Sequence, residues 1–353
     1  MIKRRVFIKH TAFATAALSL APAKFTKGMA NTSRPPGKIL NAYYFRAHMY
    51  TIVPRQVRED LKWMADAGTN ALSIAILEQD LTAAVENVQL ICNEAAKLGM
   101  QVYAVPSRWG GMLAGAPKVP SLFSVLNPQT WVLKKDGRPL TNNISGVISS
   151  VHSPETADFF KSSIDNMFKL WDIKGIIWDE PKSFIMDYSS KAVERLGKDA
   201  PLQSHVKAVV EFYSDINKHI KEQHPGTVTN MFAYSNLPDM VVEEAAKTKY
   251  LDYFGCDGRP WKKEDGGKQE SDGKVLLGTG ERFIKAAVDN DKKSLWLIEN
   301  HNMADADIKL MDNRLPEVMS KSIDQLIYYY YPRNIQDPEK SMKVLAKHLK
   351  KFK

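Results

Sequence analysis

Eight short apolar runs, most of them followed by an amphipathic segment, most tightly limit how this chain can fold. Strands are predicted at Ile39 to Phe45, Ala71 to Ile76, Gln101 to Val105, Gly175 to Trp178, Thr227 to Tyr234, Leu251 to Gly255, Ser294 to Ile298 and Leu326 to Tyr331. The segments between them repeat at helical spacing, as in Val206, Val209, Val210, Tyr213, Ile216 and Ile220, or Phe160, Ile164, Met167, Phe168 and Trp171. Ser153-Pro154-Glu155 reads as a helix start, with a serine cap and proline at the first position. Strands alternating with helices eight times over give an α/β chain of the (β/α)8 TIM barrel type, a single domain, with a doubly wound open sheet as the alternative. A chain of 353 residues, 44% hydrophobic and 25% charged, is large enough for such a core.

The first residues are of a different kind. Lys3-Arg4-Arg5-Val6-Phe7-Ile8-Lys9 precedes a weakly apolar run, Thr11 to Leu20, and then Ala21-Pro22-Ala23. This pattern resembles a twin-arginine export signal, and the small residues at Ala21 and Ala23 suit a peptidase acting after Ala23. Residues 1–23 are therefore expected to be an export signal, 24–37 a linker and 38–353 the barrel, placing the mature protein in the periplasm or outside the cell. The run is too short for a permanent membrane anchor. Without Lys3, Arg4, Arg5 and Lys9 the formal charge falls from +9 to +5. The remaining basic residues are not clustered with a stacking motif, so nucleic acid is not an expected partner. Cys92 and Cys256 are expected to be buried and unlinked.

One connection stands out. Between the third strand and the helix opening at Ser153 lie about fifty residues, far more than a barrel loop needs. This stretch, with Trp109, Gly110, Gly111, Trp131 and a Lys134-Lys135-Asp136-Gly137 turn, is expected to cover the site. No GxGxxG or GxxxxGK[ST] pattern follows any strand, so no dinucleotide or P-loop cofactor is called for.

A barrel gathers the residues at the carboxyl ends of its strands into one place. Here these are Arg46 and His48, Ser107, Arg108 and Trp109, then Asp179 and Glu180 beside Trp178. Tyr234 and Asn236 follow, with Asp257, Arg259 and Trp261, then Glu299, Asn300 and His301, and finally Arg333 and Asn334. Asp179 and Glu180 could instead cap and open a helix at Pro181. Four carboxylates among aromatic rings suit carbohydrate, because sugar faces stack on Trp and Tyr while carboxylates bind hydroxyls and protonate or attack a glycosidic bond.

Asp179-Glu180-Pro181 at the fourth strand with Ile298-Glu299-Asn300 at the seventh is similar to glycoside hydrolase clan A. In that clan the acid/base is the Glu of an Asn-Glu-Pro sequence, and the nucleophile is a Glu ending the seventh strand. The resemblance implies Glu180 as acid/base, Glu299 as nucleophile, retention of configuration and an oligo- or polysaccharide substrate. Asp179 stands where the clan has Asn and can accept a hydrogen bond but not donate one. Glu180 is the expected protonated member, because Asp179 and the surroundings of Trp178 disfavour its charge, while Arg46 or Arg333 would keep Glu299 ionised. Three other readings use the same residues. Asp179 and Asp257 could be nucleophile and acid; Glu180, Asp257, Glu299 and His301 could hold a divalent metal, as in barrel sugar isomerases; or the barrel could bind glycan through Trp109, Trp178, Trp261 and the Tyr328 to Tyr331 run without cleaving it.

Overall fold

A computed structural model of the chain describes residues 37–49, 51–260 and 276–352, with the backbone of 264–265 and 268–269. The expected export signal, nearly all of the expected linker, and Trp261 lie outside the described residues. Eight parallel strands close into a barrel in chain order: β1 (Ile39–Tyr44), β2 (Ala71–Ile76), β3 (Gln101–Pro106), β4 (Gly175–Asp179), β5 (Val228–Tyr234), β6 (Tyr253–Gly258), β7 (Lys293–Ile298) and β8 (Gln325–Tyr329), which pairs back onto β1. The fold is a (β/α)8 barrel. Around it run α1 (Pro54–Asp66), α2 (Val85–Lys97), α3 (Pro154–Leu170), α4 (Leu202–Gln223), α5 (Asp239–Ala245), α6 (Glu281–Val288), α7 (Asp305–Ser320) and α8 (Pro338–Leu349).

Strand alternation separates two cores. Leu40, Ala42, Ile74, Ala104, Ile176, Trp178, Met231, Cys256 and Trp296 face the helices and belong to the larger cluster. Ile39, Tyr43, Ala75, Val105, Ile177, Phe232, Leu295, Leu297 and Ile327 fill the barrel interior. Both faces of every strand are covered, so the strands read as near-continuous apolar runs. Cys92 and Cys256 are buried and unlinked. No helix among the described residues is long and apolar enough to cross a membrane.

Only β2 has the expected bounds, and three of the departures are informative. β6 runs from Tyr253 to Gly258 rather than from Leu251 to Gly255. Its inward residues, Gly255 and Asp257, carry little apolar signal, and Asp252 ahead of it is engaged by Thr229 and Lys221. β8 ends at Tyr329, because Tyr331 takes a φ of 44° that a strand cannot continue. β1 stops one residue early, at Tyr44, before a 3-10 turn over Arg46–His48.

Candidate active site

The two-residue period decides which side chains reach the barrel mouth. Tyr43 on β1, Asp179 on β4, Asp257 on β6, Glu299 just past β7 and Tyr329 on β8 all share the parity of the interior cluster. Glu180 has the wrong parity. It enters the mouth because the chain breaks there: its φ is 40°, its N–H donates to Phe232 O at 2.9 Å, and Pro181 follows. The break is braced by Ala114 N–H donating to Asp179 O at 2.8 Å and Lys182 N–H donating to Met112 O at 2.6 Å. No helix opens at Pro181; the next one is Ser190–Leu196. A left-handed glutamate costs of order 1 kcal/mol, and such strain concentrates where a side chain must be aimed.

All of these mouth residues but Asp257 line a cavity of about 1130 Å³, with Phe45, Arg108, Lys182, Tyr234, His301, Tyr331 and Arg333 among the other lining residues. One wall is the long connection after β3, through residues 114–118, 140–145 and 148. That connection is built rather than loose. The Glu78 carboxylate accepts from Ser121 Oγ at 2.6 Å, Phe123 N at 2.7 Å and Gly110 N at 3.2 Å. Asp187 accepts from Ser150 Oγ at 2.5 Å, and a short hairpin pairs Thr141–Asn142 with Gly146–Val147. Gly111 takes a φ of 65° with Val147 O where a side chain would begin, so no other residue fits there.

Carboxylate oxygens of Glu180, Asp257 and Glu299 all lie within 4.8 Å of one another. Asp257 is 4% exposed and does not line the cavity; burial, then the Glu180 and Glu299 charges, raise its pKa well above that of a free aspartate. Asp179, also 4% exposed, accepts from the Tyr43 hydroxyl at 3.1 Å. Burial and then the Glu180 charge push its pKa up to about 7. Lys182 Nζ donates to Glu180 Oε2 at 2.5 Å and to the Tyr234 hydroxyl, and it sits 3.7 Å from the Tyr234 ring centroid. The three clustered carboxylates are hard oxygen donors that could hold a divalent cation, but Lys182 already brings a protein-borne positive charge to one of them.

Of the residues expected at the site, Asp179, Glu180, Glu299, Arg108, Tyr234, His301 and Arg333 line the cavity. Others are engaged elsewhere. Arg46 pairs with Asp60 at 2.6 Å and His48 with Asp80 at 3.2 Å, because the turn after β1 carries one toward α1 and the other toward the short helical turn Asp80–Ala83. Trp109 is fully buried, donates to Ile76 O at 2.9 Å and packs on Phe159 and Phe160. Trp178 points into the helix layer and donates to Asn217 Oδ1 at 2.9 Å, so it gives Glu180 no apolar wall. Asn300 is spent tying β7 to β8, accepting from Tyr329 N at 2.8 Å and donating to Tyr329 O at 2.9 Å. Asn236 and Arg259 lie off the cavity wall. Tyr43 and Lys182 were missed, and Tyr329 entered only within the Tyr328 to Tyr331 run of the glycan-binding reading. The parity of β1 and β8 marks the two tyrosines, and Lys182 stands two residues beyond Glu180.

No protein-family model matches the sequence, and no curated protein resembles it in sequence. The fold does have solved counterparts. The endo-1,4-beta-mannanase of Rhizomucor miehei aligns over 90% of this chain and 96% of its own, with a TM-score of 0.58 and 11% identity. What the two share is the barrel. The catalytic domain of the beta-amylase from Paenibacillus polymyxa covers 88% of this chain and 97% of its own at a TM-score of 0.51 and 9% identity. An alpha-galactosidase from Lactobacillus brevis covers 88% of this chain at a TM-score of 0.53 and 10% identity, but only 40% of its own length. The chain thus spans about 40% of the length of the alpha-galactosidases it matches. At these identities the likeness is one of fold.

Proposed function

We propose that this chain is an exported glycoside hydrolase acting through two carboxylates, Glu180 and Glu299, with retention of configuration. One observation carries the reading: the side chains of Glu180 and Glu299 come within 4.8 Å of each other on the wall of a sugar-sized cavity. Retaining glycosidases need carboxyls about 5 Å apart, since one attacks the anomeric carbon directly. The mannanase, amylase and alpha-galactosidase names of the structural neighbours agree with the reaction class.

In this mechanism Glu299 attacks the anomeric carbon while Glu180 gives a proton to the departing glycosidic oxygen. Losing that proton leaves Glu180 as a carboxylate, whose charge the neighbouring Lys182 ammonium stabilises. Glu180 then removes a proton from water, which opens the ester on Glu299 and releases the sugar. Phe45, Tyr329 and Tyr331 line the cavity with partly exposed rings on which a sugar can stack.

Glu180→Gln and Glu299→Gln should each lower turnover by about a thousandfold on the wild-type glycoside while glycan affinity persists. A barrel that only binds glycan would show no turnover in the wild type. A second reading has Asp179 as nucleophile and Asp257 as acid. It is favoured by the inward parity of both residues and by Asp179 lining the cavity. Under that reading Glu299→Gln would keep most of its turnover and Asp179→Asn would lose it.

A further inference from the structure

The charge on the cavity wall bears on which sugar the site takes, an inference that rests on the glycosidase reading. Apart from the carboxylates of Asp179, Glu180 and Glu299, every charged side chain among the described lining residues is basic: Arg108, Lys118, Lys182 and Arg333, with His301 beside them. Lys182 is committed to Glu180. Among the described residues, neither Arg108 nor Lys118 forms a direct ion pair with a carboxylate.

Arg108 is the informative member. It is 6% exposed and sits in a left-handed backbone conformation, φ 63°. Its Nε donates to Pro117 O at 3.2 Å, Nη1 donates to Ser145 Oγ at 3.3 Å, and Nη2 donates to Gly115 O. All three acceptors are neutral. They orient the guanidinium without cancelling its charge, and the remaining N–H groups are available to a ligand. Burial opposes its charge and the nearby Asp179 and Glu180 carboxylates favour it, yet neither takes a hydrogen bond from it, which leaves its spare N–H donors for an anionic ligand. Lys118 directly follows Pro117, whose carbonyl Arg108 holds, so the two cations share one stretch of wall.

We propose that Arg108 and Lys118 form an anion subsite, and that the substrate is a glycan bearing a negatively charged group on a pyranose ring, either the carboxylate of a uronic acid or a sulfate ester. Guanidinium presents parallel N–H donors that match both.

The test compares kcat/KM on three aryl pyranosides of the same configuration: neutral, uronic acid and sulfate ester. The wild type should prefer one anionic member over the neutral one by about tenfold or more; whichever arm is preferred names the source of the charge. Lys118→Glu, at an exposed position, should cut that ratio by about tenfold, and Arg108→Gln should cut it further. A wild type that prefers the neutral pyranoside, or a ratio unmoved by Lys118→Glu, overturns the subsite. If no glycoside is turned over, the hydrolase reading fails alone. Calorimetry of the Glu180→Gln protein then decides the subsite, which stands if an oligouronate or a sulfated oligosaccharide binds more tightly than its neutral counterpart and falls if neither does.

Discussion

Asp179 shows how a carboxylate on the cavity wall works against the fold that holds it. Its carboxyl is raised from 3.8 to about 7, first by burial and then by Glu180. Between those values the folded chain holds a proton that the unfolded chain has released, so this residue's contribution is most favourable below about pH 4. It worsens as pH rises to about 7 and is constant above. Asp179→Asn keeps an oxygen to accept from Tyr43 and removes the charge. Its stability should match the wild type near pH 4 and exceed it by about 1–3 kcal/mol at pH 8, read from urea unfolding at both values. An equal loss at both would show that the carboxylate is structurally satisfied instead. Glu180 differs in kind. Its strand parity points it away from the mouth, and only the left-handed turn and the brace from Met112 and Ala114 aim it inward. Nothing in the residue sequence around Trp-Asp-Glu-Pro announces that turn.

At the scale of elements, the connection after β3 converts a generic barrel mouth into a walled cavity, and Glu78 is its anchor. Glu78→Ala would leave the Gly110 and Phe123 amides and the Ser121 hydroxyl without their acceptor, at a cost of about 1–3 kcal/mol. The expected outcome is faster limited proteolysis within residues 114–145 and a KM raised more than kcat is lowered. Unchanged proteolysis would mean the Asp187 contacts suffice. The length of this connection was legible in the sequence, as were all eight strands, because both follow from apolar periodicity. The anchor was not, since Glu78 reads as one more polar residue after a strand. Trp109 and Trp178 misled for a related reason: an aromatic at a strand end looks the same whether it faces sugar or helices. The alternation that turns Asp179 inward does, however, turn Trp178 outward.

For the whole molecule, barrel closure is what makes a site. Asp179, Asp257 and Glu299 together span more than a hundred residues of chain, yet barrel closure brings their strand ends together; Leu297 on β7 sits in register with Asp257 on β6. The carboxylate positions were therefore readable once eight strands were counted. Their division of labour was not, because Lys182, Tyr43 and the depth of Asp257 are set by packing. The central claim, that Glu299 forms the covalent bond to the sugar, is open to one direct measurement. The protein is incubated with a panel of activated 2-deoxy-2-fluoro glycosides, neutral and anionic, which form the glycosyl ester but release it slowly. Intact mass and peptide mapping then locate the label. The expected result is one sugar per chain, on Glu299; a label on Asp179, or turnover of the parent glycosides with no label on any residue, would contradict it.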